Sequence, residues 1–299
     1  MTLKQLEYVI KVAETGNITK AADSLFIAQP SLTHAISELE KEMNVQIFAR
    51  TNKGISVTKE GEMFLAYARQ VLEQANLLED KYKKNTLRKT KFSVSCQHYS
   101  FCVTAFSELV KKYETPSYNF TLRETQTHEI IEDVAEMKSE IGILYLSKSN
   151  REVIEKIIKK NDLAFESLFK AAPHVFIGRQ HPLAKKKAIT IEDLKPYPYL
   201  TFEQGEYNSF YFSEEFISTI DVDKNIMVRD RASLFNLVVN LNGYTVSSGV
   251  ISKDVNEGDI ISRPLIYDEE MNIGYVKHKN IPLSDYAKAY IESIKQLTK

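Results

Sequence analysis

The chain lacks the features that mark secreted, metal-binding and membrane proteins. It has only two cysteines, Cys96 and Cys102, which cannot build a multi-disulfide framework or a cysteine metal site. No apolar stretch reaches the ~20 residues that cross a bilayer. The first seven residues lack the basic and apolar regions of a signal peptide. These absences predict a cytoplasmic protein that holds no metal and makes no membrane contact.

An excess of positive charge is also missing. The chain carries 39 Lys and Arg against 40 Asp and Glu, so any contact with nucleic acid must come from local placement of side chains rather than from bulk charge. The sequence also shows no glycine-rich phosphate loop and no nucleophile paired with a base. We therefore expect no catalytic residues, no cofactor and no enzymatic activity.

The pattern of the chain changes near residue 90. Residues 2–89 are almost entirely helical in pattern, and a polar run at 83–89 marks a domain boundary. Beyond it, strand-like and helix-like runs alternate, which is typical of α/β units with mostly parallel sheets. The predicted strands cover 92–96, 120–124, 141–146, 175–177, 199–202, 226–228, 244–246, 260–262 and 273–276. The predicted helices cover 100–113, 127–138, 151–160, 210–219, 232–241 and 284–297.

The first sixty residues have the pattern of a winged helix-turn-helix. A third short helix begins near Gln29-Pro30, where proline suits a first turn, and ends at Asn44. Two extended runs around 52–54 predict a β-wing, with Arg50 and Lys53 placed to contact phosphate. The predicted buried stripe of the third helix is Leu32, Ile36, Leu39 and Met43. Its other face could approach base edges in a major groove through Gln29, Pro30, Ser31, Thr33, His34 and Ser37.

A long helix is predicted from an N-cap at Thr58 to about residue 88. Apolar residues spaced by four and three form the seam of a dimer, although the same helix could instead pack on its own domain. Two recognition helices in a dimer would read two half-sites of a palindromic operator. The predicted dimerisation residues are Phe64, Ala68, Val71, Ala75, Leu78 and Tyr82.

The first part of the chain resembles the LysR-type transcriptional regulators. The resemblance is carried by residues spread in order from Leu3 to Gly61. They include Ala13-Glu14-Thr15-Gly16, Ala21-Ala22, Leu25, Gln29-Pro30-Ser31-Leu32, Ile36, Leu39-Glu40, Ile47-Phe48, Arg50 and Thr58-Lys59-Glu60-Gly61. Three positions depart from the family pattern: Ala28 replaces the usual Ser or Thr cap, His34 replaces a common arginine, and Ala35 replaces a common glutamine.

The resemblance implies a fold of the α plus α/β class. It has a winged helix-turn-helix at 1–58, a dimerising linker helix at 59–89, and an effector-binding domain at 90–299 with the two-lobed fold of type 2 periplasmic binding proteins. The first lobe would hold about 91–165 and 266–299, and the second about 166–265, so that the chain crosses between lobes near 166 and near 264. The implied partners are double-stranded operator DNA, further copies of the chain in a homodimer or homotetramer, RNA polymerase, and a small-molecule effector.

The effector of such a protein would lie between the lobes, where helix N-termini suit an anionic metabolite, with amino-acid and sulphur metabolism as candidate sources. Each candidate also has a structural alternative: Ser100 could serve only as a helix cap, and Arg229 could pair with Glu203. The candidates from the loops that follow the strands are Gln97, His98, Ser100, Thr125, Thr201, Phe202, Arg229 and Ser248.

Three other functions are compatible with parts of the sequence. Cys96 and Cys102 flank one strand-to-helix turn, so the regulator could instead sense oxidants. The α/β part alone would suit a cytosolic solute-binding protein, and His98 or His174 could serve an enzyme. The helix-turn-helix pattern argues against both of the last two.

Overall fold

The structure is a computed structural model that describes residues 1–51, 54–82, 90–113, 117–207, 209–217, 222–251 and 259–298. The chain divides into two compact units, Met1–Leu87 and Arg88–Lys299. No helix among the described residues is long and apolar enough to cross a membrane.

The first unit is a three-helix bundle followed by a two-stranded wing and a long helix. Thr2 and Asn17 cap the first two helices through their side chains, and Gly16 takes the left-handed conformation that ends the first. The elements are α1 (Leu3–Thr15), α2 (Ile18–Ser24), α3 (Gln29–Met43), β1 (Phe48–Thr51), β2 (Gly54–Val57) and α4 (Lys59–Tyr82).

Helix α3 buries most of the predicted stripe. Leu32, Ile36 and Leu39 lie in the core of the unit, whereas Met43 is 41% exposed. The prediction for Met43 was wrong because it is the last residue of the helix, and the chain turns away at Asn44 with φ at +51°.

The base of the wing is fastened to α3 by a carboxylate. Glu40 Oε1 accepts hydrogen bonds from the backbone N–H groups of Ile47 and Phe48 at 2.7 and 3.0 Å. Gly61 on α4 lies against the same strand entry, since a Cβ there would stand 2.2 Å from the Ile47 carbonyl oxygen. These contacts fix the wing relative to the recognition helix.

Helix α4 begins as predicted, because Thr58 Oγ1 accepts a hydrogen bond from the N–H of Gly61 at 2.9 Å. Its first turns face inward: Ala68 is 3% exposed, and Phe64 packs on the core of its own unit. The predicted seam is therefore wrong at these two residues, which stabilise the domain itself. An adjoining face is open, and its large apolar side chains are Met63, Tyr67 and two of the predicted seam residues, Val71 and Leu78.

The second unit contains two five-stranded sheets covered by helices. Its strands are β3 (Thr90–Cys96), β4 (Tyr118–Glu124), β5 (Ile141–Leu146), β6 (Leu163–Ala171), β7 (His174–Gly178), β8 (Tyr199–Phe202), β9 (Asn225–Val228), β10 (Tyr244–Ser247), β11 (Ile260–Pro264) and β12 (Met271–His278). Its helices are α5 (Ser100–Lys112), α6 (Thr127–Ala135), α7 (Arg151–Lys160), α8 (Ile191–Leu194), α9 (Arg231–Asn240) and α10 (Asp285–Leu297).

Each sheet forms one lobe. The first has the order β4-β3-β5-β12-β6, with β3 parallel to β4 and β5, and β12 antiparallel to β5 and β6. The second has the order β11-β7-β10-β8-β9, with the last three strands parallel. In both sheets the carboxyl ends of parallel strands lead into loops that can meet at a cleft.

The lobe crossing predicted near 166 was wrong. Strand β6 continues to Ala171 and pairs with β12 along its whole length, so the chain enters the second sheet at β7 instead. The run 163–171 was missed because, apart from Leu163, its side chains are half-buried or exposed and do not form an apolar block. The return crossing after Pro264 lies where it was predicted.

The helix predicted at 210–219 is also absent from the described part of that segment. Residues 209–217 lie in turns and bends, and Ser218 and Thr219 lie outside the described residues. The aromatic side chains that suggested a helical stripe are instead directed into the other lobe, as described below.

Candidate functional site

The exposed face of α3 has the polar side chains that the sequence predicted for base contact. Gln29, Pro30, Ser31 and Ser37 are exposed, and Thr33 is half-buried with its hydroxyl donating to the Gln29 carbonyl at 3.0 Å. Within the described first unit, the contacts of these side chains are local bonds in the helix and a 3.5 Å hydrogen bond from Thr19 Oγ1 to Gln29 Oε1, so most of the face is open to solvent.

His34 lies on the same face, but it has a partner. Its Nε2 is 3.7 Å from Glu38 Oε1, one turn further along, and its side chain is 76% exposed. Ala28 occupies the N-cap position in an extended conformation and makes no side-chain cap. Of the wing residues predicted to contact phosphate, Lys53 and the side chain of Arg50 lie outside the described residues.

A cavity of about 470 Å³ opens between the lobes of the second unit. Of the predicted effector residues, His98, Thr125 and Arg229 line it. Thr125 donates its hydroxyl to Glu129, which also lines the cavity. The lining is acidic and includes Glu124, Glu129, Glu132, Glu203 and Glu206.

Two ion pairs neutralise part of this acidic lining. Arg229 donates to both carboxylate oxygens of Glu203, at 3.0 and 2.8 Å, which is the alternative that the sequence left open. Arg231 Nε lies 3.2 Å from Glu124 Oε1 and links the start of α9 to the end of β4 in the other lobe. The remaining three glutamates make the cavity unfavourable for a simple anion, so the expectation of an anionic effector is not supported by the charges.

The other predicted effector residues lie away from this cavity. Gln97 is buried and its amide is fully used, donating to Thr127 Oγ1 at 2.7 Å and accepting from the Tyr145 N–H at 3.2 Å. Thr201 donates to Asn225 at 3.2 Å on the neighbouring strand, and Ser248 is buried. Ser100 does not cap α5, because the N-cap is Tyr99 and makes no side-chain cap, and the Ser100 hydroxyl is directed to the Val250 carbonyl at 3.5 Å.

A buried histidine–carboxylate pair lies at the inner end of the cavity. His98 Nδ1 is 2.9 Å from Glu214 Oε2, and the exposed fractions of the two side chains are 6% and 4%. Burial acts to lower the pKa of His98, but the charge and hydrogen bond of Glu214 outweigh it, so the pKa is raised. Glu214 was not among the predicted site residues, because the helical pattern assigned to its segment hid it.

The next residue is a second buried carboxyl group. Glu215 Oε1 accepts from the Phe202 N–H at 2.8 Å, and Ser213 donates to Oε2 at 2.9 Å. Burial, together with the neighbouring charge of Glu214, raises the pKa of Glu215 to about 8. The group is therefore mostly protonated at neutral pH, which avoids two adjacent buried charges.

The two cysteines are buried and free. The pKa of Cys96 is raised well above its usual value by a hydrogen bond with Cys102 and by burial. A thiol held in its protonated form and shielded from solvent reacts slowly with oxidants. Among the residues that the structure describes, no cluster of His, Cys, Asp or Glu could hold a metal ion.

Two models of known protein families match separate parts of the chain. The lysR-family model of bacterial regulatory helix-turn-helix proteins matches residues 3–62, and the LysR substrate binding domain model matches residues 98–299. The uncharacterized HTH-type transcriptional regulator YvbU of Bacillus subtilis is 27% identical over 99% of both chains.

Solved structures share the fold. A full-length OxyR variant from Pseudomonas aeruginosa covers 99% of this chain and 95% of its own, with a TM-score of 0.71 at 21% identity. Full-length CbnR in complex with its target DNA covers 99% of this chain and 100% of its own, with a TM-score of 0.59 at 19% identity. Because the two family models together match most of the described chain, this protein belongs to the LysR family of DNA-binding transcription regulators with an effector-binding domain.

Proposed function

We propose that this regulator reads a two-part operator with α3 and is controlled by a small molecule in the inter-lobe cavity. The observation that carries the proposal is the 470 Å³ cavity, which is lined from both lobes by polar side chains. A ligand there would contact β4 and its loop in one lobe and Glu203 and Arg229 in the other. Binding would favour one relative placement of the lobes over another and so alter the state of the regulator.

The cavity charges narrow the class of effector. A ligand with a positive group would meet Glu129, Glu132 and Glu206. These three glutamates take no part in the two arginine ion pairs described above. We therefore propose an amine-bearing or zwitterionic metabolite, such as an amino acid, rather than a simple anion. Such an effector would still come from amino-acid metabolism, as expected from the sequence, but it would not carry the expected net negative charge.

The open face of α4 supports association into dimers. Met63, Tyr67, Val71 and Leu78 recur at spacings of four and seven, and each is more than 40% exposed. Such a stripe favours contact with a second copy of the helix. Full-length CbnR, which shares this fold, has been solved in complex with its target DNA. For this chain we propose a homodimer, pairing into a homotetramer, that acts on RNA polymerase in the cytoplasm.

The DNA-reading proposal is tested by gel shift and footprinting with the DNA upstream of the protein's own gene. We expect a salt-dependent shift and protection of two half-sites. Ser31→Ala and Ser37→Ala should weaken operator binding more than binding to random DNA, with exposed Lys59→Ala as a control that affects both equally. Absence of any shift at low salt would contradict operator recognition.

The effector site is tested separately by a thermal-shift screen of amino acids, amines, thiols and carboxylates. A ligand that raises Tm should lose its effect in Thr125→Val or Glu129→Gln, because both side chains line the cavity. Thr201→Val is the matched control, since Thr201 bonds Asn225 outside the cavity. An equal loss in the control variant would place the ligand elsewhere.

A redox-sensing regulator is the alternative function. The contact between Cys96 and Cys102 favours it, whereas their burial and the raised pKa of Cys96 oppose it. The response of operator binding to peroxide, in wild type and in a variant without the two cysteines, separates redox sensing from control by an effector.

A further inference from the structure

The described residues 203–207 and 209–217, which we name the strap, follow Phe202 at the end of β8 and pack against the first lobe. Phe212 is 7% exposed and lies in one apolar cluster with Ile131 and Leu146 of the first lobe. Tyr207 stacks on His128, with ring centroids 3.5 Å apart. The strap belongs to the second lobe by connectivity and to the first by packing.

Polar side chains of the strap reach the starts of two helices in the first lobe. Gln204 Oε1 accepts from the N–H of Thr127, the first residue of α6, at 3.1 Å. Glu214 Oε2 accepts from the N–H of His98, two residues before α5, at 2.9 Å. Backbone N–H groups at such positions lack partners within the helix and favour negative charge, which is why they hold anions in many binding proteins.

The carboxylate of Glu214 is held like a bound ligand. Besides the backbone bond it faces His98 Nδ1 at 2.9 Å and accepts from Gln204 Nε2 at 3.2 Å, so three donors from both lobes converge on it. Its side chain is only 4% exposed. A buried carboxylate is stable only with such partners, and this arrangement of donors is one that proteins use to bind carboxylate ligands.

We propose that Glu214 is an internal ligand: its carboxylate fills a carboxylate site made by His98 and Gln204, and it holds the two lobes together until a carboxylate-bearing molecule replaces it. The site adjoins the cavity because His98 lines that cavity as well. The inference deepens the proposed function, on which it rests for the role of the cavity. A zwitterionic effector would then place its carboxylate at His98 and its positive group among the cavity glutamates.

Chemical rescue tests the proposal on the full-length protein. Glu214→Ala removes the carboxylate and leaves its donors in place, so formate or acetate should bind there. We expect a saturable rise in the Tm of Glu214→Ala of about 2–4 °C over sodium chloride at equal ionic strength. The wild type, whose site is filled, and Glu214→Gln, whose amide fills the same volume, should show no formate-specific rise.

The remaining outcomes decide the proposal. A folded Glu214→Ala protein without a formate-specific response contradicts a carboxylate site, and an equal response in wild type or Glu214→Gln places the anion elsewhere. If Glu214→Ala is unfolded in chloride, the same titration is followed by near-ultraviolet circular dichroism. Recovery of the folded signal in formate supports the proposal, and no recovery contradicts it. Glu214→Asp, which keeps the charge, is measured in parallel and should be folded. An unfolded Glu214→Asp also contradicts the proposal, because a retained carboxylate should hold the site.

Operator binding by the wild type is measured alongside. Intact operator binding with failed rescue refutes only the internal ligand. Absent operator binding with successful rescue refutes the proposed function and leaves the carboxylate site standing.

Discussion

The imidazole of His98 lies flat on the ring of Phe202, with centroids 4.0 Å apart and planes within 9°. His98 comes from the first lobe and Phe202 from the last residue of β8 in the second. The raised pKa of His98 increases its cationic fraction, and a cation over an aromatic face is attracted to it. This stack therefore joins the lobes beside the Glu214 contact.

We expect Phe202→Ala to destabilise the second unit by at least about 0.5–1.5 kcal/mol, the value of an aromatic pair beyond its buried area. Urea unfolding measures the change. Met227→Ala is the control, since Met227 lies on the neighbouring strand β9 and is 54% exposed. Equal stabilities of the two variants would show that the stack contributes nothing.

We expect Ala28→Ser to stabilise the first unit by about 0.5–1 kcal/mol. Ala28 already has the extended backbone of an N-cap and makes no side-chain bond, so a serine hydroxyl there could accept from the N–H of Ser31. Asn17→Ala should have the opposite effect, because Asn17 Oδ1 accepts from the Lys20 N–H at 3.0 Å. Thermal unfolding monitored by circular dichroism measures the stability change of each variant. A loss of stability in Ala28→Ser would contradict the assignment of residue 28 as the N-cap of α3.

We expect Leu78→Glu to dissociate the dimer, because it places a charge on the open apolar face of α4. Sedimentation equilibrium measures the association. Leu65→Ala is the contrasting variant: Leu65 is 2% exposed, so its truncation should cost about 2–5 kcal/mol of folding free energy while leaving folded protein dimeric. An unchanged dimer in Leu78→Glu would show that this face of α4 is not the dimer interface.

Stability should fall as pH rises from about 5 to 8. The pKa of Glu215 is about 8 in the folded protein and near 4.5 when unfolded, so between these values only the folded state holds the proton. The stabilisation is complete below the unfolded pKa and is lost as pH rises through the folded pKa, with a slope of at most about 1.4 kcal/mol per pH unit.

Glu215→Gln should remove this contribution, because its amide cannot ionise. Urea unfolding at several pH values measures the difference between wild type and variant. His181 and His278, whose pKa values are lowered, act in the opposite direction in both proteins and cancel in that difference. Parallel pH profiles would show that Glu215 is not the buried acid described.

We expect Cys96 and Cys102 to react with a thiol reagent only as fast as the protein opens, because both are fully buried. The double variant Cys96→Ser with Cys102→Ser should keep operator binding and should differ little from wild type after peroxide treatment. A peroxide-dependent change in operator binding that the double variant loses would establish the redox-sensing alternative.

Much of the local structure could be predicted from the sequence. The starts of α3 and α4 follow from Pro30 and Thr58, and the fully buried strand β5 follows from its apolar run. The exposed polar face of α3 follows from helical periodicity, because that periodicity also fixes which face is buried. In α4 the same reasoning failed at Phe64 and Ala68, since spacing shows which residues share a face but not which neighbour covers it.

The sequence by itself thus determined the two-part architecture and the recognition helix, because both rest on local spacing, caps and apolar runs. Only the tertiary structure decided the composition of the cleft. Glu124 and Glu203 are far apart in the chain and come together only where the two lobes form the cavity. The strap takes its conformation from the packing of Phe212 and Tyr207 against the other lobe rather than from its own helical pattern. The hydrogen-bonding partner of a buried charge is set by packing, so the His98–Glu214 contact could not be found from spacing alone.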